Sequence, residues 1–144
     1  MKDIRPGLFA FLMASPPIYA AVDGATALNS GGSRIFPVVL KPGIKKDSIV
    51  FTRVSGEGDY TMAGPSGYAR PRYQIDAWAP TIPAAASLAN FIKDALDGFT
   101  GAMGTGVNSV FVQGVFCAAE REDYDDKVEM YRVSRDYFIH HGEL

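Results

Sequence analysis

The segment RYQIDAWAPTIPAAASLANFIKDALDG, residues 72–98, decides the fold class because it joins a strand pattern directly to a helix pattern. Polar and apolar side chains alternate over its first six residues, which is the two-residue period of a strand with one buried face. One face of this strand is apolar and carries Tyr73, Ile75 and Ala77. The other face is polar and carries Arg72, Gln74 and Asp76. We therefore predict a strand over Pro71–Ala79 that lies in a half-buried sheet.

The second part of the segment predicts an amphipathic helix from Thr81 to about Asp97. Thr81 is a good N-cap residue, Pro83 suits the first turn, and Gly98 can end the helix. The apolar side chains recur at helical spacing and form one stripe: Leu88, Phe91, Ile92, Ala95, Leu96 and Phe99. This stripe is wide enough to lie on a sheet.

Helix and strand patterns also occur on both sides of this segment. An N-terminal helix is predicted near Lys2–Ala14, with Ile4, Leu8, Phe11 and Leu12 on one face, and a helical turn near Ile18–Val22. The further predicted strands are Arg34–Leu40, interrupted by Pro37, Ser48–Ser55, Ser109–Ala119 and Val128–His140. The segments between them are predicted as loops: Lys41–Asp47, Gly56–Arg70, Gly98–Asn108 and Glu120–Lys127. The order of elements predicts an α+β domain over residues 1–144, with a mainly antiparallel sheet and helices packed on one face.

The composition is that of a soluble globular domain. The chain has 144 residues, 47% hydrophobic and 21% charged, with a net charge of −2. These values exclude a disordered chain and a strongly basic nucleic-acid binder. No apolar run reaches membrane-spanning length, and the Pro16-Pro17 pair after the first apolar run does not fit a signal-peptide cleavage site. We therefore expect a cytoplasmic protein and no contact with a membrane.

The net charge hides a difference between the two parts of the chain. Residues 1–53 carry seven Lys or Arg and three Asp or Glu, a net charge of +4, whereas residues 54–144 carry seven and thirteen, a net charge of −6. One interpretation is ordinary solvated surface. The other is a bipolar molecule whose positive end meets the negative end of a neighbouring copy.

No group of residues predicts a catalytic, metal or cofactor site. His140 and His141 are neighbours on a predicted strand, so their side chains point to opposite faces and cannot share a metal ion. The acidic run Glu120–Asp126 lacks the glycine and the terminal glutamate of an EF-hand loop. Cys117 lies in an apolar stretch without a basic neighbour that would activate its thiol. The glycine-rich stretch Gly98–Asn108 follows a helix and precedes a strand, which is the reverse of a phosphate-binding loop.

The last predicted strand carries an unusual number of polar residues. One face holds Arg132, Ser134, Asp136, Phe138 and His140, and the other holds Tyr131, Val133, Arg135, Tyr137 and Ile139. A half-solvated antiparallel sheet explains this pattern without any function. A sheet face or edge that contacts another subunit explains it equally well.

An ordered series of short motifs resembles the tail-terminator (tail-completion) proteins of long-tailed, non-contractile bacteriophages and gene transfer agents. The motifs are Arg34-Ile35-Phe36-Pro37, Phe51-Thr52-Arg53-Val54-Ser55-Gly56, residues 59–67 (DYTMAGPSG), residues 72–80 (RYQIDAWAP), the helix with Ala85, Leu88, Ala89, Leu96, Asp97 and Gly98, Asp123-Tyr124-Asp125, and residues 131–137 (YRVSRDY). The series covers nearly the whole chain. It departs from the family at the basic insert Lys41–Asp47 and at Phe99–Asn108, so contacts made there cannot be carried over.

The resemblance implies a non-enzymatic virion protein without a cofactor. It implies a small α+β subunit whose copies close into a ring, commonly a hexamer, on the last ring of the tail tube protein. The other side of the ring would meet the head–tail connector protein, and double-stranded DNA would pass through the lumen without sequence-specific binding. A head-to-tail interface that closes by rotation makes a ring, and a ring with two unlike faces can end a polymer.

The predicted interface residues form two sets. Tyr and Arg side chains are enriched at protein interfaces, and glycine-punctuated loops reach outward. The first set lies in the predicted loop Gly56–Arg70 and consists of Glu57, Asp59, Tyr60, Tyr68 and Arg70. The second set lies on the sheet and consists of Arg72, Asp76, Arg132, Arg135 and Asp136.

The alternatives are a neighbouring head–tail joining (neck) protein and a small dimeric α+β ligand-binding module whose pocket is lined by Trp78 and Tyr residues.

Overall fold

The computed structural model describes residues 3–22, 34–38, 40, 46–56, 58–104 and 106–142. The helices of this part of the chain are α1 (Arg5–Met13), α2 (Pro16–Ala21) and α3 (Ile82–Leu96), and a turn of 3₁₀ helix covers Gly106–Asn108. Its strands are β1 (Ile35–Pro37), β2 (Ser48–Ser55), β3 (Gly58–Thr61), β4 (Gly64–Ala69), β5 (Arg72–Ala79), β6 (Gly101–Met103), β7 (Val110–Asp125) and β8 (Met130–Gly142). Among the described helices, none is long and apolar enough to cross a membrane.

Two long antiparallel hairpins build the sheet. In the first, β2 and β3 run against β4 and β5, with a turn at Met62 and Ala63, and in the second β7 runs against β8. The hairpins join where β5 pairs with β8, from Arg72 opposite Phe138 to Ala79 opposite Tyr131. This antiparallel register places the two hairpin turns at opposite ends of the sheet. The short strands β1 and β6 pair with β2 and β7.

The helices and the main core lie on one face of the sheet. The predicted apolar face of β5 is buried there, with Tyr73, Ile75 and Ala77 at most 2% exposed. The apolar stripe of α3 packs on them with Leu88, Ile92 and Leu96. The apolar face of α1 joins the same core with Ile4, Leu8 and Leu12. The prediction of an α+β domain with a mainly antiparallel sheet and helices on one face is confirmed.

The segment Gly56–Arg70 was the main error in the sequence-based assignment, because it forms the hairpin β3–β4 instead of a loop. Glycine and proline lower strand propensity, and this segment contains several of each. Here Gly64 and Gly67 adopt positive φ angles of 124° and 81°, which glycine tolerates, so the hairpin can bend without strain. Glu57 lies outside the described residues.

The acidic segment Glu120–Lys127 is also not a loop as predicted. Strand β7 continues to Asp125, and the connecting turn covers residues 126–129. Each acidic residue has low strand propensity alone, but cross-strand ion pairs with β8 compensate for it. Glu120 lies opposite Arg135 and Asp123 opposite Arg132.

Two smaller differences concern the glycine-rich stretch and the first strand. The predicted loop Gly98–Asn108 contains the short strand β6. The first strand ends at Pro37 instead of Leu40. Proline cannot donate a hydrogen bond to a sheet, and the following residue Val38 adopts a positive φ of 67°. The predicted loop residues 41–45 lie outside the described part of the chain.

The N-cap of α3 gives a first stability prediction. The side chain of Thr81 accepts a hydrogen bond from the backbone N–H of Ala84 at 3.4 Å, which satisfies one of the free donors of the first turn. Thr81→Ala should lower the free energy of unfolding by about 1 kcal/mol. Thr81→Ser keeps the hydroxyl and serves as the control in urea denaturation. Equal stability of the Ala and Ser variants would show that this cap is not used.

Candidate functional site

The sheet face opposite the helices carries a continuous set of charged and polar side chains. No described helix packs against this face, which we call the open face. The polar side chains on it come from the three strands β5, β7 and β8: Arg72, Gln74, Asp76, Arg121, Asp123, Arg132, Ser134 and Asp136. Strand alternation places them together, since they occupy the positions between the buried core residues.

Asp136 is at the centre of the open face and is only 2% exposed. Arg72 Nε donates to its carboxylate at 3.1 Å, and the guanidinium of Arg121 donates to both of its oxygens at 3.0 and 3.2 Å. Burial alone raises the pKa of the Asp136 carboxyl, but the hydrogen bonds from Arg121 and Arg72 outweigh it, so the pKa lies below its ordinary value. Asp136 is therefore ionised at neutral pH and holds two arginines across three strands.

A second group of hydrogen bonds surrounds Asp76, which is 5% exposed. The hydroxyl of Ser134 donates to its carboxylate at 2.5 Å, and the amide of Gln74 donates at 3.0 Å. Arg132 lies 3.9 Å from the same carboxylate and also donates to Asp123 at 2.9 Å. The six charged side chains of the open face are three arginines and three aspartates, so the face is electrically balanced.

Aromatic rings flank this ion network at both of its ends. The guanidinium of Arg132 lies over the ring of Trp78 at 5.3 Å, and that of Arg72 lies over Phe138 at 5.4 Å. Beyond Phe138, the hydroxyl of Tyr68 is hydrogen-bonded to Nδ1 of His140, whose other neighbour is Phe116 at a ring distance of 5.0 Å. The open face thus ends in an uncharged aromatic patch.

Burial determines the charge of His140 in this patch. It lowers the pKa of His140, and the positive charge of Arg70 lowers it further. His140 and His141 lie on opposite faces, as the strand pattern predicted, because His141 is fully buried on the helix side.

The structure brings together four of the predicted interface residues, Arg72, Asp76, Arg132 and Asp136, on the open face. Those in the β3–β4 hairpin and its flanks lie toward one end of the sheet. There Asp59 is 3.9 Å from Arg70, and Tyr60 is 74% exposed.

Arg135 lies on the other face of the sheet and is 8% exposed. It donates to the backbone carbonyl of Ala89 at 2.8 Å, to the side chain of Asn90 at 3.0 Å and to Glu120 at 2.9 Å. Arg135 thus ties α3 to the sheet within one subunit. The prediction that it contacts another subunit stays a prediction.

Sequence reasoning did not include Gln74, Arg121, Asp123 and Ser134 among the site residues. Gln74 and Ser134 were already placed on the correct strand faces, and their alternation with core residues was the available signal. Arg121 and Asp123 were assigned to a loop, so their position on the open face could not be recognised.

A metal site, a reactive thiol and a pocket are features that would point to catalysis. Among the described residues, no three His, Cys, Asp or Glu side chains come together as metal ligands. Burial raises the pKa of Cys117, so its thiol is protonated at neutral pH. A shallow groove of about 340 Å³ lies between α1 and the edge of β1, and it is lined mostly by apolar side chains. Trp78 does not line it.

The chain matches no protein-family model and no curated protein. Its fold is similar to that of a chain in a solved structure described as the virion of a native gene transfer agent (GTA) particle, with a TM-score of 0.70 at 14% sequence identity. The similarity covers 94% of this chain and 91% of that chain. The two chains therefore share a fold over nearly their whole lengths.

Proposed function

We propose that this protein is a structural component of a phage or gene-transfer-agent virion, and that its copies form a six-membered ring that closes the tail tube. The observation that carries this proposal is the shared fold with a chain of a gene transfer agent virion over 94% of this chain. The motif series that resembles tail-terminator proteins supports the tail position. One side of the ring would bind the tail tube protein and the other the head–tail connector protein, in the neck of the particle.

The two hairpins support a ring with two unlike sides. Their turns project from opposite ends of the sheet and differ in chemistry. The first turn carries Met62, which is fully exposed, with Tyr60 beside it, and the second is acidic, with Asp125, Asp126 and Glu129. A ring built from such subunits presents different surfaces above and below, which is what ending a tube requires.

The balanced charge of the open face is compatible with a position at the lumen of the ring, through which DNA would pass. Unpaired arginines at a lumen would hold the phosphate backbone through counterion release. On the open face, Asp136 pairs with Arg72 and Arg121, and Asp123 pairs with Arg132. We expect purified protein to show no sequence-specific DNA binding and no enzymatic turnover.

Native mass spectrometry and negative-stain images of the purified protein test the proposed ring. We expect a six-membered ring alone or on mixing with tail tubes, and in the mixture a ring at one end of each tube. A stable dimer that does not bind tail tubes would favour a ligand-binding module. A ring that binds only the connector would favour a neck protein.

Tyr60→Ala and Arg132→Ala should each weaken ring formation. Tyr60 is an exposed aromatic side chain of the kind that anchors interfaces, so its removal should reduce association without unfolding the subunit. Tyr60→Phe keeps the aromatic side chain and its contacts, so it serves as the control. Circular dichroism verifies the fold of each variant. An oligomer of unchanged size for both alanine variants would remove these residues from the interface.

A further inference from the structure

Opposite edges of the sheet carry opposite charge. The acidic edge consists of β7 from Ala118 to Asp125 and the turn that follows it, residues 126–129. From Glu120 to Arg132 this hairpin has six acidic and three basic residues. Two of these bases and one of these acids are committed to ion pairs on the open face: Arg121 pairs with Asp136 of β8, and Arg132 pairs with Asp123. On the other face, Glu120 pairs with Arg135. Glu122 and Asp126 remain exposed on the acidic edge.

The basic edge lies on the other side of the sheet. It consists of β2 from Thr52 to Ser55, the start of α1 and Lys46. Arg5 pairs with Asp3 at 2.9 Å, and its hydrogen bonds hold the pKa of Asp3 below its ordinary value. Arg53 is exposed on β2. With Lys46 and its neighbour Asp47 included, the described residues of this edge have three basic and two acidic side chains, a net charge of +1.

Both edges are also open for contact. Among the described residues, β6 pairs with β7 only up to Val112, and β1 pairs with β2 only up to Phe51. Beyond these points no described strand covers Ala118–Asp125 or Thr52–Ser55. Such uncovered edges are where two protein chains meet most readily.

We propose that the acidic edge of one copy docks on the basic edge of a second copy. Two acidic edges repel each other, so a symmetric pair through this edge is disfavoured. The opposite edges attract each other, and their contact is head-to-tail, which closes into a ring when the rotation permits. Strands β2 and β7 run antiparallel within one copy, so rotation about an axis near the strand direction brings β2 of one copy antiparallel to β7 of the next. Within one copy Glu122 is level with Ala77 and Arg53 with Tyr73, so their contact needs a shift of about four residues along the strands, which the tilt of strands in a closed ring provides. The proposal deepens the proposed ring by assigning the surfaces that join its members.

Charge reversal tests this assignment. Glu122 and Arg53 are both exposed and lie on opposite edges. Glu122→Lys alone and Arg53→Glu alone should each raise the protein concentration needed for half-assembly by about tenfold or more, since each puts like charges together. The double variant E122K/R53E restores opposite charges and should recover assembly. Asp94→Lys makes the same change in charge on the exposed side of α3 and should leave assembly unchanged.

Sedimentation velocity at low and moderate salt gives the readout. The assignment is supported if both single variants lose assembly, the double variant regains it, and added salt weakens the wild-type assembly. It is overturned if either single variant assembles like wild type, if the double variant stays dissociated, or if wild type is monomeric at low salt. The proposed virion role fails separately, if wild-type rings form but do not bind tail tubes.

Discussion

Arg135→Met should lower the free energy of unfolding by about 3 kcal/mol, the loss expected when one partner of a buried charged hydrogen-bond group is removed. Arg135 is nearly buried and donates to Ala89, Asn90 and Glu120, which joins α3 to both strands of the second hairpin. Methionine keeps the aliphatic stem, so the change isolates the lost hydrogen bonds. Chemical denaturation at neutral pH measures the effect.

Glu120→Gln is the matched control for Arg135. The Glu120 side chain is 48% exposed, so weakening its ion pair should cost less than about 1 kcal/mol. If Arg135→Met costs no more than Glu120→Gln, the bonds to α3 contribute nothing to stability. The result would then leave Arg135 available for the subunit contact that the sequence predicts.

Asp136→Asn should lower the free energy of unfolding by about 2 kcal/mol at neutral pH, since hydrogen bonds to a charged group are removed from a buried position. Asparagine replaces one of the two accepting oxygens with an NH2 group, which cannot accept and would face a guanidinium of Arg72 or Arg121. Asp123→Asn makes the same chemical change at a side chain that is 49% exposed, and it should cost less than about 1 kcal/mol.

The effect of Asp136 should also depend on pH. Because the pKa of Asp136 is lower in the folded than in the unfolded chain, its stabilisation is complete above the unfolded pKa of about 4 and is lost as the pH falls through the folded pKa. The difference in stability between wild type and Asp136→Asn should therefore shrink in acid. A difference that stays constant from neutral pH to pH 3 would contradict an ionised Asp136 in the network.

Local sequence patterns were sufficient for the elements with a regular period and a clear boundary. Polar and apolar residues alternate in strand β5 from Arg72 to Ala77, and α3 begins at a threonine cap and ends before glycine. Both were therefore predicted nearly residue by residue. The open-face positions of Arg132 and Asp136 followed from the same alternation in β8.

The elements that were not predicted from the sequence depend on pairing between residues that are distant in the chain. The hairpin β3–β4 contains glycine and proline, and the end of β7 contains four acidic residues from Glu120 to Asp125, so both segments have low local strand propensity. They are strands because a partner lies beside each one. The role of Arg135 could not be predicted either, because its acceptor on α3 is 46 residues away in the chain.

The proposed role of this protein is to close a ring of its own copies and to end a tail tube. Electron microscopy of particles from producing cells that lack this chain tests it most directly, with tail length and head attachment as the quantities measured. We expect tails of irregular, excessive length that are not joined to heads, and restoration of both properties when the chain is supplied again. Tails of uniform, normal length joined to heads in its absence would contradict the proposed role.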